Sequence, residues 1–349
     1  MRVDPFDLFV KASATEPVEF GKVVMFSTMD MEQKQNVQKN IAKIFQFCDS
    51  PDTYLSDVIE QTLPVLLWDK QSLIEKYGIS DTIGHDLLTA DKVYNAPHGI
   101  VVSKLDTLKI LKKLDFPWLP KTVFTPAEAK KELKFPIIAK ASNTYQSRGV
   151  EKVSTKTGLN KLVKGFDIYQ EQIQIDQEFR IVFFRGKNTG IRMLSVFRRD
   201  PLNDKAKSLR VNEAGMTEDK LDNREKSNFS WTQVEPQDVK GLSVKECYHI
   251  AKVIFDINPT LNIAGLDVAI DRNGKHFFIE TNSTPGLFSN MVPLIYKCIY
   301  EDYYGIMSEY AVKRLIQLCT YFVYLTTKDE PTFRTEMHVC TNMFGYKYL

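Results

Sequence analysis

Residues 265–287 read GLDVAIDRNGKHFFIETNSTPGL. Two runs of β-branched, aromatic and apolar residues flank Asn273-Gly274, and that dipeptide in that setting is the strongest short-range signal for a β-hairpin. With a two-residue turn at Asn273-Gly274, Arg272 faces Lys275 and Asp267 lies directly opposite Glu280. A four-residue loop over 271–274 shifts the pairing by two and sets Asp267 against Phe278. Both registers leave Asp267, Glu280 and Asn282 on one face, because side chains alternate and even loops preserve parity. An odd loop breaks the set. Two carboxylates and an amide oxygen on one face are costly if buried without partners. They suit a hard divalent cation such as Mg²⁺, which prefers oxygen ligands and keeps substrate phosphates in its shell. The plain alternative is a half-exposed hairpin whose polar face meets water. Pro285-Gly286 then turns the chain and bares backbone amides nearby.

A magnesium–phosphate site also needs cations. Lys140 ends the apolar run FPIIAK (135–140), which reads as a strand, and precedes the small polar loop ASNTYQSRG (141–149). In that loop Ser142, Ser147 and Gly149 allow close backbone approach to phosphates. Lys104 falls in the first turn of a helix expected over 103–114. Ser103 and Asp106 form a capping-box pattern there, and Leu105, Leu108 and Leu111 give an apolar face. A cation in a first turn opposes the helix dipole by up to about 1 kcal/mol, so helix stability alone does not explain Lys104. A solvated lysine is the plain alternative. The chain has no GxxxxGK[ST] and no GxGxxG, so any nucleotide site uses another architecture.

The rest of the chain sets the frame. A formal charge of +2 over 349 residues gives no field that gathers nucleic acid. The 43% hydrophobic and 26% charged content is that of a soluble globular protein. Five scattered cysteines without C-x-x-C argue against disulfides or structural zinc. MRVDPFDLFV at the N-terminus has no long apolar segment, and LIQLCTYFVYL (315–325) is about half a membrane span. The expectation is a cytoplasmic protein without signal peptide or membrane partner. GKVVMFST (21–28), a helix over 32–48 (Val37, Ile41, Ile44, Phe45), PVLLW (64–68) and HGIVVSK (98–104) suggest an α/β layer. Four strands then fall in FPIIAK, VEKVS, KGFDIYQEQIQ (164–174) and EFRIVFFRGK (178–187), a small α+β block. Residues 200–230 are polar and too long for an ordinary connection, so they read as partly disordered or as a substrate-facing loop. VKECYHIAKVIFDI (244–257) is an amphipathic helix on which Cys247 and His249 do not share a face. His276, beside the hairpin turn, is expected to be exposed. Tyr300, Tyr303, Tyr304 and Tyr310 read as packing or a dimer surface, which keeps a homo-oligomer among the expectations.

In their order and spacing, these residues resemble the ATP-grasp carboxylate–amine ligases over roughly 98–295. SKLDTLKILKKLDFPWLPKT looks like the family's entry helix with its first ATP lysine, Lys104. FPIIAKASNTYQSRGV looks like the strand with the second, Lys140, and the loop over the phosphates. In EQIQIDQE (171–178), Glu171 and the backbones of Gln172 and Gln174 would meet adenine, and Glu178 the ribose. Asp267, Glu280 and Asn282 match the positions that bind two Mg²⁺ ions, for which Mn²⁺ can substitute. The implied fold is α/β plus α+β: a pre-ATP-grasp α/β domain (1–103), a small α+β lid (104–176) and a C-terminal α+β domain with a helical tail (177–349). The implied chemistry is carboxylate activation to an acyl phosphate, amine attack and phosphate release. Positioning and charge neutralisation would carry it.

AGLDVAID with ETNSTPGL resembles the ribosomal-protein glutamate ligases and related amino-acid ligases more than D-alanine–D-alanine ligase. The latter has an arginine near the position of Gly265 to hold a substrate carboxylate. KSNFSW (226–231) is loosely similar to a glutamate-ligase stretch and marks Asn228 as an active-site candidate. Arg192, Arg198 and Arg199 suit carboxylates or phosphates, with Arg192 and Arg199 favoured. A basic solvated strand end is the plain reading of all three. The expected substrates are a small carboxylate and amine, or a peptide or protein acceptor. An ATP-binding regulatory protein without turnover and an ATP-grasp-like kinase stay open as alternatives.

Overall fold

The computed structural model describes residues 23–26, 45–48, 64–67, 93–95, 104–142, 149–162, 165–201, 229–239, 241–282, 285 and 291–306. Ser103, Ser147, Asn228, Gly286, the 202–228 stretch and the tail beyond 306 lie outside them. Near the N-terminus, β1 (Val23–Phe26), β2 (Phe45–Cys48), β3 (Val65–Leu67) and β4 (Val93–Tyr94) pair in parallel in the order β2-β1-β3-β4. Parallel neighbours require crossover connections, which is the α/β pattern of the sequence. One expectation is corrected here. The helix read over 32–48 cannot reach 48, because Phe45–Cys48 pairs residue for residue with Val23–Phe26. Phe45-Gln46-Phe47 alternates with period two, and that signal was hidden under a helical template.

The next stretch holds α1 (Lys104–Lys113), β5 (Thr122–Val123), α2 (Pro126–Glu132), β6 (Ile137–Lys140), β7 (Val150–Val153), α3 (Lys156–Leu159) and β8 (Ile168–Glu171). Its four strands form an antiparallel sheet in the order β5-β8-β6-β7. Thr125 starts α2 with a full capping box: its hydroxyl takes the Glu128 N–H while the Glu128 carboxylate takes the Thr125 N–H. Val123, Ala129, Ile137, Ala139 and Tyr169 form the small core beneath.

The largest sheet has the order β11-β10-β9-β12-β13 and is antiparallel throughout. Its strands are β9 (Ile175–Gly186), β10 (Gly190–Pro201), β11 (Phe229–Val234), β12 (Ile263–Asp271) and β13 (His276–Asn282). Two helices accompany it, α4 (Val244–Ile257) and α5 (Met291–Tyr303). Alternation divides the sheet. Phe179, Ile181, Phe183, Leu266 and Val268 are buried in one core with Ile250, Ile254 and Phe255 of α4 and Leu108 and Leu111 of α1. The residues between them face the other way: Glu178, Arg180, Asp267 and, further along, Phe184. α5 packs against β9, β10 and β1.

The hairpin reaches the expected pairing by an unexpected route. Its loop has three residues, an odd number. The Asp271 N–H bonds to the Lys275 carbonyl, the Gly274 N–H to the Asp271 carbonyl, and Gly274 takes φ +80°, a left-handed conformation that favours glycine. The Asp271 carboxylate holds the turn through the N–H groups of Asn273 and Lys275. By itself this would turn Glu280 away from Asp267. A β-bulge restores the phase: Phe278 faces Val268, Glu280 faces Asp267, and Ile279 is the extra residue between them. Asn282 then lies opposite Gly265.

Asp302 on α5 ties this domain to the N-terminal layer. Its carboxylate accepts the backbone N–H groups of Lys187, Asn188 and Thr189 in the β9–β10 turn, each at 2.8 Å. It also accepts the hydroxyl of Tyr94 on β4 at 2.8 Å. Burial pushes this carboxyl's pKa up, but the donors outweigh burial and hold it below the usual aspartate value of 3.8. The stabilisation is therefore present above that value and is lost as pH falls through the lower folded one. Asp302→Ala strands three backbone donors, and an equilibrium urea titration at neutral pH should show a loss of about 3 kcal/mol.

Candidate active site

Along β12 and β13 the polar face carries Asp267, Glu280 and Asn282 together. The Asn282 side-chain amide donates to Asp267 Oδ2 at 3.0 Å. Asp267 is buried, and its main partner is Arg180, directly across on β9. The contact is bidentate: Nε to Oδ1 at 2.7 Å and an Nη to Oδ2 at 2.8 Å. Two parallel charge-assisted bonds fix the orientation of both groups. Burial works against the guanidinium, but Asp267 outweighs it and raises the Arg180 pKa.

The two lysines converge on Glu280. Lys104, at the start of α1, reaches Glu280 Oε2 with Nζ at 3.0 Å. The unfavourable dipole position of Lys104 thus has a partner from another element. Burial would raise the Glu280 pKa, but Lys104 first and then Lys140 and Arg180 lower it below the usual glutamate range. Lys140 ends β6 and is almost wholly buried. Burial lowers its pKa to about 8, Glu280 and Glu178 pull the other way, and Lys104 adds to the lowering.

Glu178 lies two residues before Arg180 on β9, on the same face, and is buried. The Arg199 guanidinium contacts both its oxygens, at 3.0 and 3.1 Å. Burial raises its pKa above the usual range despite Arg199. The group therefore holds four cations (Lys104, Lys140, Arg180, Arg199) and three carboxylates (Glu178, Asp267, Glu280). That balance is one positive charge in excess on a partly desolvated surface, which favours a polyanion. Among the described residues, no three His, Cys, Asp or Glu side chains form a metal-holding group. The carboxylates here face cations instead. The donor set of two carboxylates and an amide oxygen still has the hard-oxygen chemistry of a Mg²⁺ site.

Other expected site residues are placed as follows. Glu171 ends β8, and its N–H bonds to the Lys121 carbonyl. Gln172 is half-buried and Gln174 exposed in the short link to β9. Gly149 opens β7 with φ +67°. Ser142 is held by Asp167, its N–H to Oδ1 at 2.8 Å and its hydroxyl to the other oxygen. Arg198 pairs with its neighbour Asp200. Arg192 is not brought to this group: it starts β10, seven residues from Arg199, and pairs with Glu301 on α5.

Arg180 was missed by the sequence reading, although a charged residue at i+2 from Glu178 inside EFRIVFF gave a signal. His276 is a correction. It is buried and stacks on Trp118 with ring centroids 4.4 Å apart. Gly265 is explained by contact, since a Cβ there would lie 2.8 Å from Cβ of Pro285. The glycine lets the chain beyond Asn282 close onto the sheet face beside the carboxylates. Cys247 is buried, which pushes its thiol up to about 12 and leaves it unreactive.

Comparisons with known proteins give the family and the fold. A family model described as D-ala D-ala ligase C-terminus matches residues 108–316, more than half of the chain. A D-alanine–D-alanine ligase of Streptococcus pyogenes serotype M4 is 26% identical over 321 residues, covering 88% of this chain and 87% of its own. Among solved structures, the VanG D-Ala:D-Ser ligase of Enterococcus faecalis superposes with TM-score 0.53 at 15% identity, over 82% of this chain and 98% of that one. N5-carboxyaminoimidazole synthetase from Staphylococcus aureus, complexed with ADP, gives 0.53 at 11% identity, over 84% and 80%. The family model and the Streptococcus pyogenes relative are of the D-alanine–D-alanine ligase type, although residue 265 here is a glycine. No helix among the described residues is long and apolar enough to cross a membrane. The chain belongs to the D-ala D-ala ligase C-terminal family, has the ATP-grasp fold, and is an ATP-dependent carboxylate–amine ligase.

Proposed function

We propose that this ligase joins the carboxylate of an amino acid to the amine of a second amino acid or short peptide, through an acyl phosphate. The observation that carries this is the group of four cations and three carboxylates gathered over one face of the large sheet and its margin, matched to a triphosphate. Lys104 and Lys140 would neutralise phosphate oxygens once nucleotide draws them from Glu280. Glu178, Glu171 and the backbone of 172–174 would hold ribose and adenine. Ser142, Ser147 and Gly149 would close over the phosphates and keep water from the activated carboxyl. Asp267, Glu280 and Asn282 would hold Mg²⁺, as one or two ions, or Mn²⁺ in its place. The bound metal would supply charge neutralisation on the phosphates. The three-part division at 103 and 176, and Arg199 and Asn228 as substrate-facing groups, belong to the same reading. The named relatives act on D-alanine or D-serine, so those amino acids head the candidates.

The test is incubation with ATP, Mg²⁺ and hydroxylamine over a panel of D- and L-amino acids. A hydroxamate and matching ADP release are expected with at least one member. Absence of ADP release with every carboxylate on the panel would sink the proposal, and a phosphorylated product would assign the site to a kinase.

A further inference from the structure

A cavity lies on the same sheet face, away from the cation group. It has a volume of about 290 Å³, at the small end for ligand pockets, and sits between α5 and the β10–β11 strands. Its floor is Ser195, 5% exposed, whose hydroxyl has no hydrogen-bond partner among the described residues. A buried hydroxyl without a partner costs about 1–3 kcal/mol, so a group completing it has energy to gain. β10 also slips register between Met193 and Ser195, and a bulge of this kind re-aims neighbouring side chains. The charged lining is Arg192, Lys297 and Glu235. Glu301 pins the two cations in place by pairing with both. The rest of the lining is mostly apolar, Leu194, Val196, Val234 and Leu294 included, and Gln233 adds a side-chain amide.

The pattern is a hydroxyl, two cations, one carboxylate and an apolar wall in a small cavity. We propose that it binds a free amino acid as the zwitterion. Arg192 and Lys297 take the carboxylate, the Ser195 hydroxyl donates to one of its oxygens, Glu235 takes the ammonium group, and the apolar wall takes the side chain. The site is separate from the reaction centre. Register sets Ser195 across from Val182, and Phe197 across from Arg180, which itself faces Asp267. Two strands across and two residues along put Ser195 about 12 Å from Asp267. Val182 and Phe197, the side chains between, are packed at 0% and 2% exposure. The cavity is thus a second amino-acid site, and it does not rest on the ligase chemistry.

Calorimetric titration of the full chain without nucleotide tests it, using D- and L-alanine and L-leucine as probes. Saturable binding of at least one is expected, with N-acetylalanine and alanine methyl ester failing because each lacks one charge. Arg192→Gln and Glu235→Gln should each weaken binding by about tenfold or more. Ser195→Ala should weaken it too, while leaving unliganded stability equal or higher, since it removes an unpartnered group. ADP binding by Glu235→Gln and Ser195→Ala confirms the fold. No saturable binding by any probe overturns the site. So does binding that ignores these substitutions but disappears in Asp267→Asn, which would put the amino acid at the reaction centre.

Discussion

Lys140→Met should raise the thermal midpoint of the nucleotide-free protein at neutral pH while removing turnover. Lys140 is almost wholly buried, and its pKa falls from 10.5 to about 8, chiefly through burial. The folded state therefore disfavours a charge that the unfolded chain carries freely. Below pH 8 the penalty is fully present, at about 3 kcal/mol. It shrinks as pH rises from 8 towards 10.5, where the unfolded chain also loses its proton. Wild-type stability should climb over that window, and the Lys140→Met protein should lack the climb. Methionine fills a similar volume without the charge. Turnover should fall at least a hundredfold, roughly 3 kcal/mol of transition-state stabilisation, because the cation proposed to neutralise the phosphates is gone. Thermal unfolding at several pH values and single-turnover ADP release read the two effects separately. A lower midpoint at neutral pH would mean that Glu280 and Glu178 already compensate the charge.

The second large effect concerns Arg180 and Asp267. Asp267→Ala leaves a mostly buried guanidinium without its bidentate acceptor, and breaking such a pair costs about 3–5 kcal/mol. Arg180→Leu alone strands a buried carboxylate and should cost about as much. The double variant removes both charges and should recover most of the loss, since contacting residues are not additive. Urea unfolding of the four proteins closes the cycle. All three variants should lose turnover. If the double variant is as unstable as the sum of the singles, the two side chains act independently and the pair is not the unit described here.

How legible this was from sequence depends on the residue. Lys104, Lys140, Asp267, Glu280 and Asn282 carry local signals: a cation in a helix's first turn, a lysine closing an apolar strand, oxygen ligands alternating on a hairpin; Glu178 comes from the family resemblance alone. The structure gathers all six on one side of the large sheet or at its margin. Arg180 needed the β9–β12 register, which depends on pairing across 87 residues. His276 next to a turn looked exposed because nothing local reveals Trp118, which stacks on it from a distant loop. Arg192 and Arg199 looked alike in sequence, and only the partners on α5 and β9 separate them. The hairpin is the most instructive case. Its even-loop premise was wrong and its conclusion right, because the bulge at Ile279 cancels the odd loop.

That cancellation bears on how relatives of this chain are to be aligned. A relative with the same three-residue loop but no bulge would carry the partner of Asp267 one position earlier, so a comparison with it, anchored on the Asn273-Gly274 tip and run outward without gaps, is one position out of phase from there onward. It would match the carboxylate of one protein to a core residue of another. Anchoring on Glu280 and Asn282 instead pushes the slip into the tip, where length can drift without touching chemistry. The bulge acts as a phase joint, and it frees the turn to vary while the inner half of the hairpin stays in step with its neighbours.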